Sequence, residues 1–430
     1  MDVEADVVIV GAGVAGLAAA RSLTRRELSC CILEAASSIG GRLRTLRCPG
    51  WEIPIELGAE FVHGRPAPTL ALGGGAIDLV SVPERRYQAG PKPRPMPSTW
   101  QRFADALDGA RTASANQSVA QYLARAHLSE DDAGLVRLIV EGYHAAPLSD
   151  VSARAIALDA ADVGGDFKQY RTASGYDEVL LTLNENLASR SCRIHLGTQV
   201  RRVAWVPGQV TVLAEGSHGK IQARAKRCVV TASVGVLQTP PEAGGIAFDP
   251  VPDGFRSALD RLGMGQALRV IMRFEQAPWV TAPGGLEATF LHVPGAPFAT
   301  FWREARAGQQ QITAWAGGPS AQGLSQLAQP ALLSAALESF AQATCSDVGS
   351  LRRALIEAHY HDFNRDPFTL GAYSYVRPGG ESAAATLREP WQETLFFAGE
   401  ALDLQYPGTV AGALGSGEHT ARTLLATWSE

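Results

Sequence analysis

The sequence predicts a two-domain α/β protein with a Rossmann-like dinucleotide-binding domain and a second domain of mixed sheet and helices. Three observations lead to this prediction. A G-x-G-x-x-G turn lies between a buried-type strand and an alanine-rich helix near the N-terminus, the 430 residues are too many for one simple core, and nucleotide-type β/α segments occur at both ends of the chain. We expect a discontinuous cofactor domain at residues 1–80, 190–250 and 385–430. The substrate domain is expected at residues 81–189 and 251–384, with a helical part at about 99–160.

Each glycine of the N-terminal motif has a mechanical role. Gly11 makes the tight turn after the strand, Gly13 lets the backbone approach a pyrophosphate, and Gly16 lets the helix pack closely on the strand. The helix N-terminus carries about half a positive charge, which favours phosphate binding. Glu34 ends the second strand, where its carboxylate can accept hydrogen bonds from ribose hydroxyls. Together these residues predict a dinucleotide site.

Composition and charge limit the class of protein. The net charge of −5 argues against a nucleic-acid partner, which needs a basic face. The six cysteines form no C-x-x-C pair, and His359 and His361 share a strand face without further ligands, so we expect reduced cytoplasmic thiols and no metal. The sequence has no recognisable signal peptide and no apolar run of membrane-spanning length, so we expect no membrane partner.

Hydrophobic periodicity in the rest of the chain predicts helices and short strands. We expect helices from about Thr99 to Leu158, from Leu332 to Ala343, and from Gly412 to Trp428 at the end of the chain. The proline-rich stretch from Gln88 to Ser98 is predicted to be an exposed loop. Predicted strands are 193–196, 199–205, 210–214, 227–232, 268–274, 311–316, 354–360 and 395–398.

Segments beyond the first motif favour FAD over NAD. After Glu34, the run Gly40-Gly41-Arg42 presents a guanidinium that can pair bidentately with phosphate. Near the C-terminus, the run Phe397-Ala398-Gly399-Glu400 is followed by residues 406–413, which open the last helix. The N-terminus of that helix can stabilise negative charge on a reduced flavin ring.

These blocks resemble those of the flavin-containing amine oxidase family, which comprises monoamine oxidases, polyamine oxidases and histone lysine-specific demethylases. The resemblance covers nearly the whole chain and rests on the runs GAGVAGLAAA, ILEA, GGR, ELGAEFVHG, LGMGQALRVIMRF, DPFTLGAYSY, LFFAGE and YPGTVAGA. It implies FAD-dependent oxidation of an amine, in which hydride passes from the α-carbon to flavin N5, the imine is hydrolysed and O2 is reduced to H2O2. A polyamine or a secondary amine is the expected substrate.

The resemblance also implies the residues that bind FAD. Glu34 would contact the adenosine ribose, Arg42 would contact phosphate, and the backbone of Val200 would hold adenine. Ala36 stands where the family often has an arginine. Ala372 stands where monoamine oxidases have the cysteine that tethers flavin, so we expect non-covalent FAD, because alanine has no nucleophile. The implied cofactor residues are Gly11, Gly13, Ala15, Gly16, Glu34, Gly41, Arg42, Val200, Gly399, Glu400, Thr409 and Val410.

An aromatic cage for the amine is a further implication of the resemblance. Tyr406 matches a cage tyrosine beside the flavin. Phe363 takes the place of a usual tryptophan, which keeps the aromatic area but loses the N–H donor. Tyr373 and Tyr375 alternate along a predicted strand, so we expect them on one face, which lies either in the pocket or in the core.

His63 resembles a histidine that lies near the flavin in some polyamine oxidases. Because imidazole titrates near neutrality, it can accept a proton from an ammonium substrate. Glu60 and Asp166 are candidate carboxylates for a cationic substrate. Phe61 stands near the position where amino-acid oxidases of the same clan bind a substrate carboxylate with an arginine, and this argues against amino-acid substrates.

Arg269 is the largest departure from the family pattern. The family usually has a lysine there, which holds a water against flavin N5 and is linked to reactivity with oxygen. Arginine is planar, longer and always protonated, so the exchange is not conservative. It predicts slow reaction with O2 or a grip on an anionic substrate. The alternatives are that Arg269 holds the same water or that the register of the match is shifted.

The sequence therefore leaves three functions open. The preferred function is oxidation of a small-molecule amine, with Arg269, His63, Tyr406 and Phe363 as catalytic residues and with O2 or another electron acceptor. The second is a flavin dehydrogenase or desaturase that acts on a non-amine or anionic substrate. The third is a flavin-binding interaction protein without turnover. The sequence does not determine the oligomeric state.

Overall fold

The computed structural model describes residues 1–75, 77–163, 168–185, 187, 191–216, 219–275, 288–306 and 309–428. The strands are β1 (Asp2–Glu4), β2 (Val7–Val10), β3 (Cys30–Leu33), β4 (Thr45–Leu46), β5 (Ile55–Glu56), β6 (Val62–His63), β7 (Leu79–Val82), β8 (Arg86–Gln88), β9 (Arg94–Pro95), β10 (Gln169–Thr172), β11 (Cys192–His195), β12 (Thr198–Val206), β13 (Gln209–Gly216), β14 (Gly219–Ala225), β15 (Arg227–Val230), β16 (Ala247–Asp249), β17 (Leu262–Met264), β18 (Ala267–Phe274), β19 (Phe290–His292), β20 (Thr300–Arg306), β21 (Gln309–Gly317), β22 (Leu355–His359), β23 (Ser374–Val376) and β24 (Leu395–Phe397). The helices are α1 (Val14–Thr24), α2 (Ala67–Ala71), α3 (Thr99–Leu107), α4 (Val119–Leu123), α5 (Glu130–Gly142), α6 (Ala153–Val163), α7 (Glu178–Asn184), α8 (Val234–Gln238), α9 (Phe255–Leu259), α10 (Gly318–Leu324), α11 (Gln329–Thr344), α12 (Val348–Ala354), α13 (Ala383–Arg388) and α14 (Val410–Ala426).

A five-stranded parallel sheet forms the centre of the cofactor domain. Its order is β11-β3-β2-β15-β24, so strands from distant parts of the chain lie side by side. Successive residues of β2 face opposite layers. Val7 and Ile9 pack with α1 and α14, whereas Val8 and Val10 pack with a second sheet of order β1-β14-β13-β12-β16. Because both faces are covered, these strands are almost continuously apolar.

Small residues bring α1 close to its neighbours. A Cβ on Gly16 would lie 2.1 Å from the carbonyl oxygen of Gly11, so only glycine fits beneath the strand-to-helix turn. A Cβ on Gly417 of α14 would lie 2.2 Å from the carbonyl oxygen of Ala15. The close packing predicted for Gly16 is therefore present, and α14 packs against α1 at backbone distance.

The substrate domain is built on a seven-stranded mixed sheet of order β22-β18-β21-β20-β19-β8-β9. Helices α10 and α11 share an apolar core with this sheet, which includes Phe301 and Ile312. Helices α3, α5 and α6 contribute to a separate apolar cluster. The prediction of an exposed loop from Gln88 to Ser98 is wrong in part, because Gln88 pairs with Arg94 and makes β8 and β9 a hairpin. Prolines are tolerated there because an edge strand needs no second partner.

The other predicted strands and the helices α11 and α14 are present, with ends that differ by at most three residues from those predicted. The predictions omitted several short strands and two strands of seven residues, β14 and β20. In β14, Ile221 and Ala223 alternate with polar residues, which is a pattern typical of a half-buried strand. Among the residues described, no helix combines the length and hydrophobicity that a membrane crossing requires. The domain boundaries given above stay a prediction.

Candidate active site

A cavity of ≈ 710 Å³ collects most of the predicted site residues. All four predicted catalytic residues line it: Arg269, His63, Tyr406 and Phe363. The predicted cofactor residues line it too, apart from Gly16, which lies beneath the turn. Residues from both domains form the cavity wall, so the predicted cofactor residues and the predicted catalytic residues share one cavity.

The N-terminal turn forms a phosphate-binding geometry at one end of the cavity. Gly11 has φ +101°, a backbone conformation that L side chains rarely adopt. A Cβ on Gly13 would meet no atom within 4 Å, so the backbone here faces open cavity. The first amide to bond within α1 is that of Leu17, which donates to the Gly13 carbonyl at 3.0 Å. The amides of α1 that precede Leu17 have no partner inside the helix and can therefore bind an anion.

Glu34 is fixed at the end of β3 in the position expected for a ribose contact. Its carboxylate accepts hydrogen bonds from the backbone amides of Ala12 (2.6 Å) and Ala36 (2.7 Å). Burial raises the pKa of Glu34, and the two amides oppose that rise. Each carboxylate oxygen has two lone pairs, so acceptor sites remain for ribose hydroxyls. Glu34 therefore fits the adenosine end of FAD.

Arg42 and Glu400 connect the two ends of the chain inside the cavity. Nη1 of Arg42 lies 2.6 Å from Glu400 and also donates to the carbonyl of Ala372 at 3.0 Å. The other oxygen of Glu400 accepts the Ser374 hydroxyl at 2.7 Å. Arg42, the predicted phosphate contact, and Glu400, another predicted cofactor residue, thus lie beside each other.

The N-terminus of α14 opens on the same cavity. Thr409 caps the helix, because its hydroxyl accepts the amide of Gly412 at 2.9 Å. A Cβ on Gly412 would lie 2.0 Å from the carbonyl oxygen of Tyr406, so glycine permits the tight turn that places Tyr406 against the helix. Tyr406, Thr409 and Val410 all line the cavity at this helix end.

Arg269 is bound tightly at the wall of the cavity. It lies on β18, and its side chain is 5% exposed. Nη1 donates to Glu60 at 2.9 Å, Nε donates to the carbonyl of Leu57 at 3.4 Å, and Nη2 donates to the carbonyl of Gly58. Burial lowers the pKa of Arg269, and Glu60 opposes this shift. Each guanidinium nitrogen therefore already has a protein acceptor.

Glu60 is shared between two arginines. Besides Arg269, it accepts Nε of Arg171 at 2.7 Å and the indole N–H of Trp302 at 3.1 Å. Its negative charge is therefore matched inside the protein, which contradicts the expectation that Glu60 serves a cationic substrate. The second predicted carboxylate, Asp166, lies outside the described residues.

Six side chains that line the cavity contact one another in a closed series, which we call the chamber ring. The distances between ring centroids, or from the guanidinium carbon to a centroid, are His63–Tyr143 5.4 Å, Tyr143–Trp100 4.9 Å, Trp100–Arg86 5.1 Å, Arg86–Phe290 4.2 Å, Phe290–Phe61 6.0 Å and Phe61–His63 6.5 Å. Trp302 extends the ring from Phe61, and Trp315 extends it from Trp302, at 5.4 and 5.7 Å. The substrate chamber thus has a mainly aromatic wall.

Sequence reasoning missed most of the chamber ring. Trp100, Tyr143, Phe290 and Arg86 lie outside the blocks that carried the resemblance, and only contacts between distant segments identify them. For Trp302 a local signal existed. Thr300 and Trp302 line the cavity on one face of β20, whereas Phe301 between them is fully buried on the other face.

The histidines of the chamber are neutral. Burial, with help from Arg86 and His144, lowers the pKa of His63 to about 4. Burial also lowers the pKa of His144 to about 4 and, with Arg86, the pKa of His292 to about 3. The expectation that His63 titrates near neutrality is therefore wrong. An imidazole in this chamber acts as a neutral hydrogen-bonding group at physiological pH.

The two strand tyrosines have different environments, although they were expected on one face. Tyr373 lines the cavity, and its hydroxyl donates to the carbonyl of Tyr143. Tyr375 is buried in the helical cluster and donates to Asp150. They diverge because β23 begins only at Ser374, so Tyr373 precedes the regular strand. Phe363 lines the cavity and packs edge-on against His361 at 4.4 Å.

The histidines considered for a metal lie in separate environments. His361 lies 2.9 Å from Asp366 and 3.3 Å from Arg44. His359 lies instead with Cys48 and Glu357, whose ligand atoms all fall within 4.8 Å of one another. Arg273 donates to Glu357 at 2.8 Å and supplies the positive charge at this position. We therefore assign no ion to this group.

Comparisons with known proteins agree with this geometry. The family model for flavin containing amine oxidoreductase matches residues 14–425. Probable polyamine oxidase 4 of Arabidopsis thaliana is 25% identical over 97% of this chain and 86% of its own length. Lysine-specific histone demethylase 1 homolog 2 of the same plant is 26% identical over 98% of this chain and 58% of its own length.

Solved structures show the same fold at low identity. Putrescine oxidase bound to putrescine has a TM-score of 0.82 at 20% identity, covering 99% of this chain and 100% of that chain. Cyclohexylamine oxidase from Brevibacterium oxydans has a TM-score of 0.79 at 20% identity, covering 98% of this chain and 99% of that chain. The predicted fold class, the predicted FAD cofactor and the predicted enzyme class are confirmed. The chain therefore belongs to the flavin-containing amine oxidoreductase family and is an FAD-dependent oxidoreductase.

Proposed function

We propose that this chain oxidises an amine with one basic nitrogen and an apolar body, using non-covalent FAD, and passes the electrons to O2 or to another acceptor. The observation that carries the proposal is the mainly aromatic chamber ring beside a carboxylate, Glu60, whose charge two arginines already match. Family membership supplies the reaction class, and the chamber supports the choice of substrate.

The residues of the cavity fit FAD along its whole length. The free amides of α1 suit the pyrophosphate, Glu34 suits ribose, and the N-terminus of α14 suits the flavin ring. Bound flavin would supply the acceptor for a hydride from the substrate α-carbon. Ala372, at the position where relatives of the family tether flavin, offers no nucleophile, so binding is non-covalent.

The protein's own contribution is to orient the amine and keep it deprotonated. The aromatic side chains exclude water and hold the apolar body of the substrate. Tyr406 lies at the helix end expected to hold the flavin, where an aromatic face can guide the amine nitrogen. The low pKa values of His63 and His292 show that the chamber disfavours positive charge, which favours the neutral form of the amine.

The same features argue against a polyamine. A dication needs carboxylates with unmatched charge, and Glu60 is occupied by Arg171 and Arg269. Asp159 also lines the cavity, but its side chain is 46% exposed, so water already screens it. The proposed substrate is therefore a monoamine rather than a polyamine.

Anaerobic reduction of the bound flavin tests this proposal. Benzylamine or phenethylamine should bleach the yellow flavin absorbance, whereas putrescine and longer polyamines should not. The imine formed during bleaching should hydrolyse to the aldehyde, and admission of air afterwards should restore the colour as O2 is reduced to H2O2. Bleaching by polyamines alone would refute the substrate choice, and a flavin that no amine reduces would refute amine oxidation.

A flavin dehydrogenase is the second candidate, because Arg269 replaces the usual lysine. All three of its guanidinium nitrogens are engaged by Glu60 and two backbone carbonyls, so Arg269 is poorly placed to grip an anionic substrate. The same engagement limits its ability to hold a water, which favours slow reoxidation by O2. Fast reduction by an amine followed by slow reoxidation in air would select the dehydrogenase.

A further inference from the structure

Arg86 is a buried cation in the wall of the chamber. It begins β8, its side chain is 9% exposed, and it lines the cavity together with its neighbours in the chamber ring. Its guanidinium carbon lies 4.2 Å from the centroid of Phe290 and 5.1 Å from that of Trp100. The two rings fix its plane, so the charge has a defined orientation at the chamber wall.

The hydrogen bonds of the Arg86 side chain leave one guanidinium nitrogen available to a ligand. Nε donates to Glu84 at 2.8 Å, and Nη1 lies 3.3 Å from Nε2 of His292, which is neutral. Within the described part of the chain, these are the hydrogen bonds of its side chain, and neither of them uses Nη2. Glu84 does not line the cavity, so Arg86 faces the chamber while its counter-ion lies behind it.

The field of Arg86 reaches across the chamber. It contributes to the low pKa of His292, its neighbour, and to that of His63, which lies three contacts away in either direction around the chamber ring. A group bound between His63 and Arg86 is therefore exposed to positive potential. An anionic group is favoured there, and a second ammonium is disfavoured.

We propose that Arg86 binds a carboxylate of the substrate, so that the chamber takes an aromatic amino acid or a similar amine that carries one acidic group. This inference rests on the proposed amine oxidation and names its substrate class. The sequence argued against such substrates because Phe61 stands where related amino-acid oxidases have an arginine. In the structure, Phe290 bridges Phe61 and Arg86, so a guanidinium enters the same chamber from β8 instead.

Matched substrates and matched variants test the proposal. In the wild-type holoenzyme, phenylalanine should reduce the flavin with a higher kcat/KM than phenethylamine, which differs only by the carboxylate. Arg86→Gln should lower kcat/KM for phenylalanine about 10- to 100-fold more than it lowers kcat/KM for phenethylamine, which is the size of one lost charged hydrogen bond. Arg94→Gln is the control, because Arg94 lies on the paired strand β9 with 59% of its side chain exposed.

A binding measurement keeps the test valid if Arg86→Gln misfolds. Phenylpropionate, a carboxylate without an amine, should perturb the oxidised flavin spectrum of the wild-type enzyme and compete with phenylalanine. Arg86→Lys should retain weaker binding, because lysine keeps the charge but loses the planar fork. Equal losses for both substrates in Arg86→Gln, a wild-type preference for phenethylamine, or absence of phenylpropionate binding would overturn the role of Arg86. Failure of both amines to reduce the flavin, with phenylpropionate still bound, would instead refute amine oxidation.

Discussion

Neutralising Glu60 should destabilise the protein strongly, because it would leave Arg269 without the carboxylate that it contacts and Arg171 with only Glu304, 3.7 Å away. In the native fold Glu60 is buried, with its side chain 7% exposed, and it accepts from Arg269 at 2.9 Å, from Arg171 at 2.7 Å and from Trp302 at 3.1 Å. Glu60→Gln keeps the shape and one acceptor but removes the charge. Breaking a buried ion pair in this way costs about 3–5 kcal/mol of unfolding free energy.

The expected change in melting temperature follows from the chain length. An unfolding entropy of about 2.1 cal/mol/K per residue gives roughly 0.9 kcal/mol/K for 430 residues. The loss for Glu60→Gln therefore corresponds to a fall of about 3–6 °C in Tm. The assay is thermal unfolding of the holoenzyme at one fixed FAD concentration, since bound cofactor shifts Tm by mass action.

Glu357→Gln is the matched control. Glu357 is 2.8 Å from Arg273, but the two side chains are 34% and 21% exposed, so the loss should be about 0–1 kcal/mol and the fall in Tm about 1 °C or less. Adding Arg269→Met to Glu60→Gln should recover part of the stability, because it removes an orphaned cation. Equal shifts for Glu60→Gln and Glu357→Gln, or no recovery in the double variant, would refute the account of a matched buried carboxylate.

The remaining predictions concern the flavin, the oxidant and pH. Acid precipitation should release all FAD into the supernatant, because Ala372 cannot tether it, and yellow colour in the pellet would contradict this. Arg269→Lys should raise the rate of flavin reoxidation by O2 about tenfold, a barrier change of about 1.4 kcal/mol, in stopped-flow mixing of reduced enzyme with aerated buffer. An unchanged rate would mean that this position does not control reactivity with oxygen. The pKa values of His63, His144 and His292 lie at about 4, 4 and 3, below the ordinary 6.5, so the unfolded chain binds more protons and stability should fall as pH falls from about 6.5 to 4. His292→Gln should flatten this slope by up to about 1.4 kcal/mol per pH unit, and an unchanged slope in urea unfolding across that range would show that His292 is not buried neutral.

Local pattern was enough to predict the N-terminal dinucleotide-binding unit, whereas most other cofactor residues came from the family resemblance. The motif from Gly11 to Gly16 needs no distant partner to be recognised, because Gly11 and Gly16 are required by the sterics of one turn and Gly13 leaves space in front of the backbone. Glu34 could be predicted from the same unit, because it comes directly after β3, and β3 pairs with β2. Arg42 and Glu400 were predicted separately, but their 2.6 Å contact joins residues that no local pattern relates.

The substrate half was harder to predict, because long-range contacts define it. The pKa of His63 depends on Arg86 and His144, which come from other segments, so its shift could not be inferred from residue type. Glu60 was predicted to be available to a cationic substrate, but the fold places Arg171 and Arg269 against its carboxylate. The prediction that Arg269 could bind an anionic substrate did not take into account its contact with Glu60.

The most direct test of the account is the rate of anaerobic flavin reduction by amines of different charge. The chamber ring and the matched charge of Glu60 predict that an aromatic amine with one basic nitrogen reduces the flavin at least about tenfold faster, per molar substrate, than putrescine does. Comparable or faster reduction by putrescine would contradict the proposed substrate class. A flavin that no amine reduces would contradict the proposed reaction.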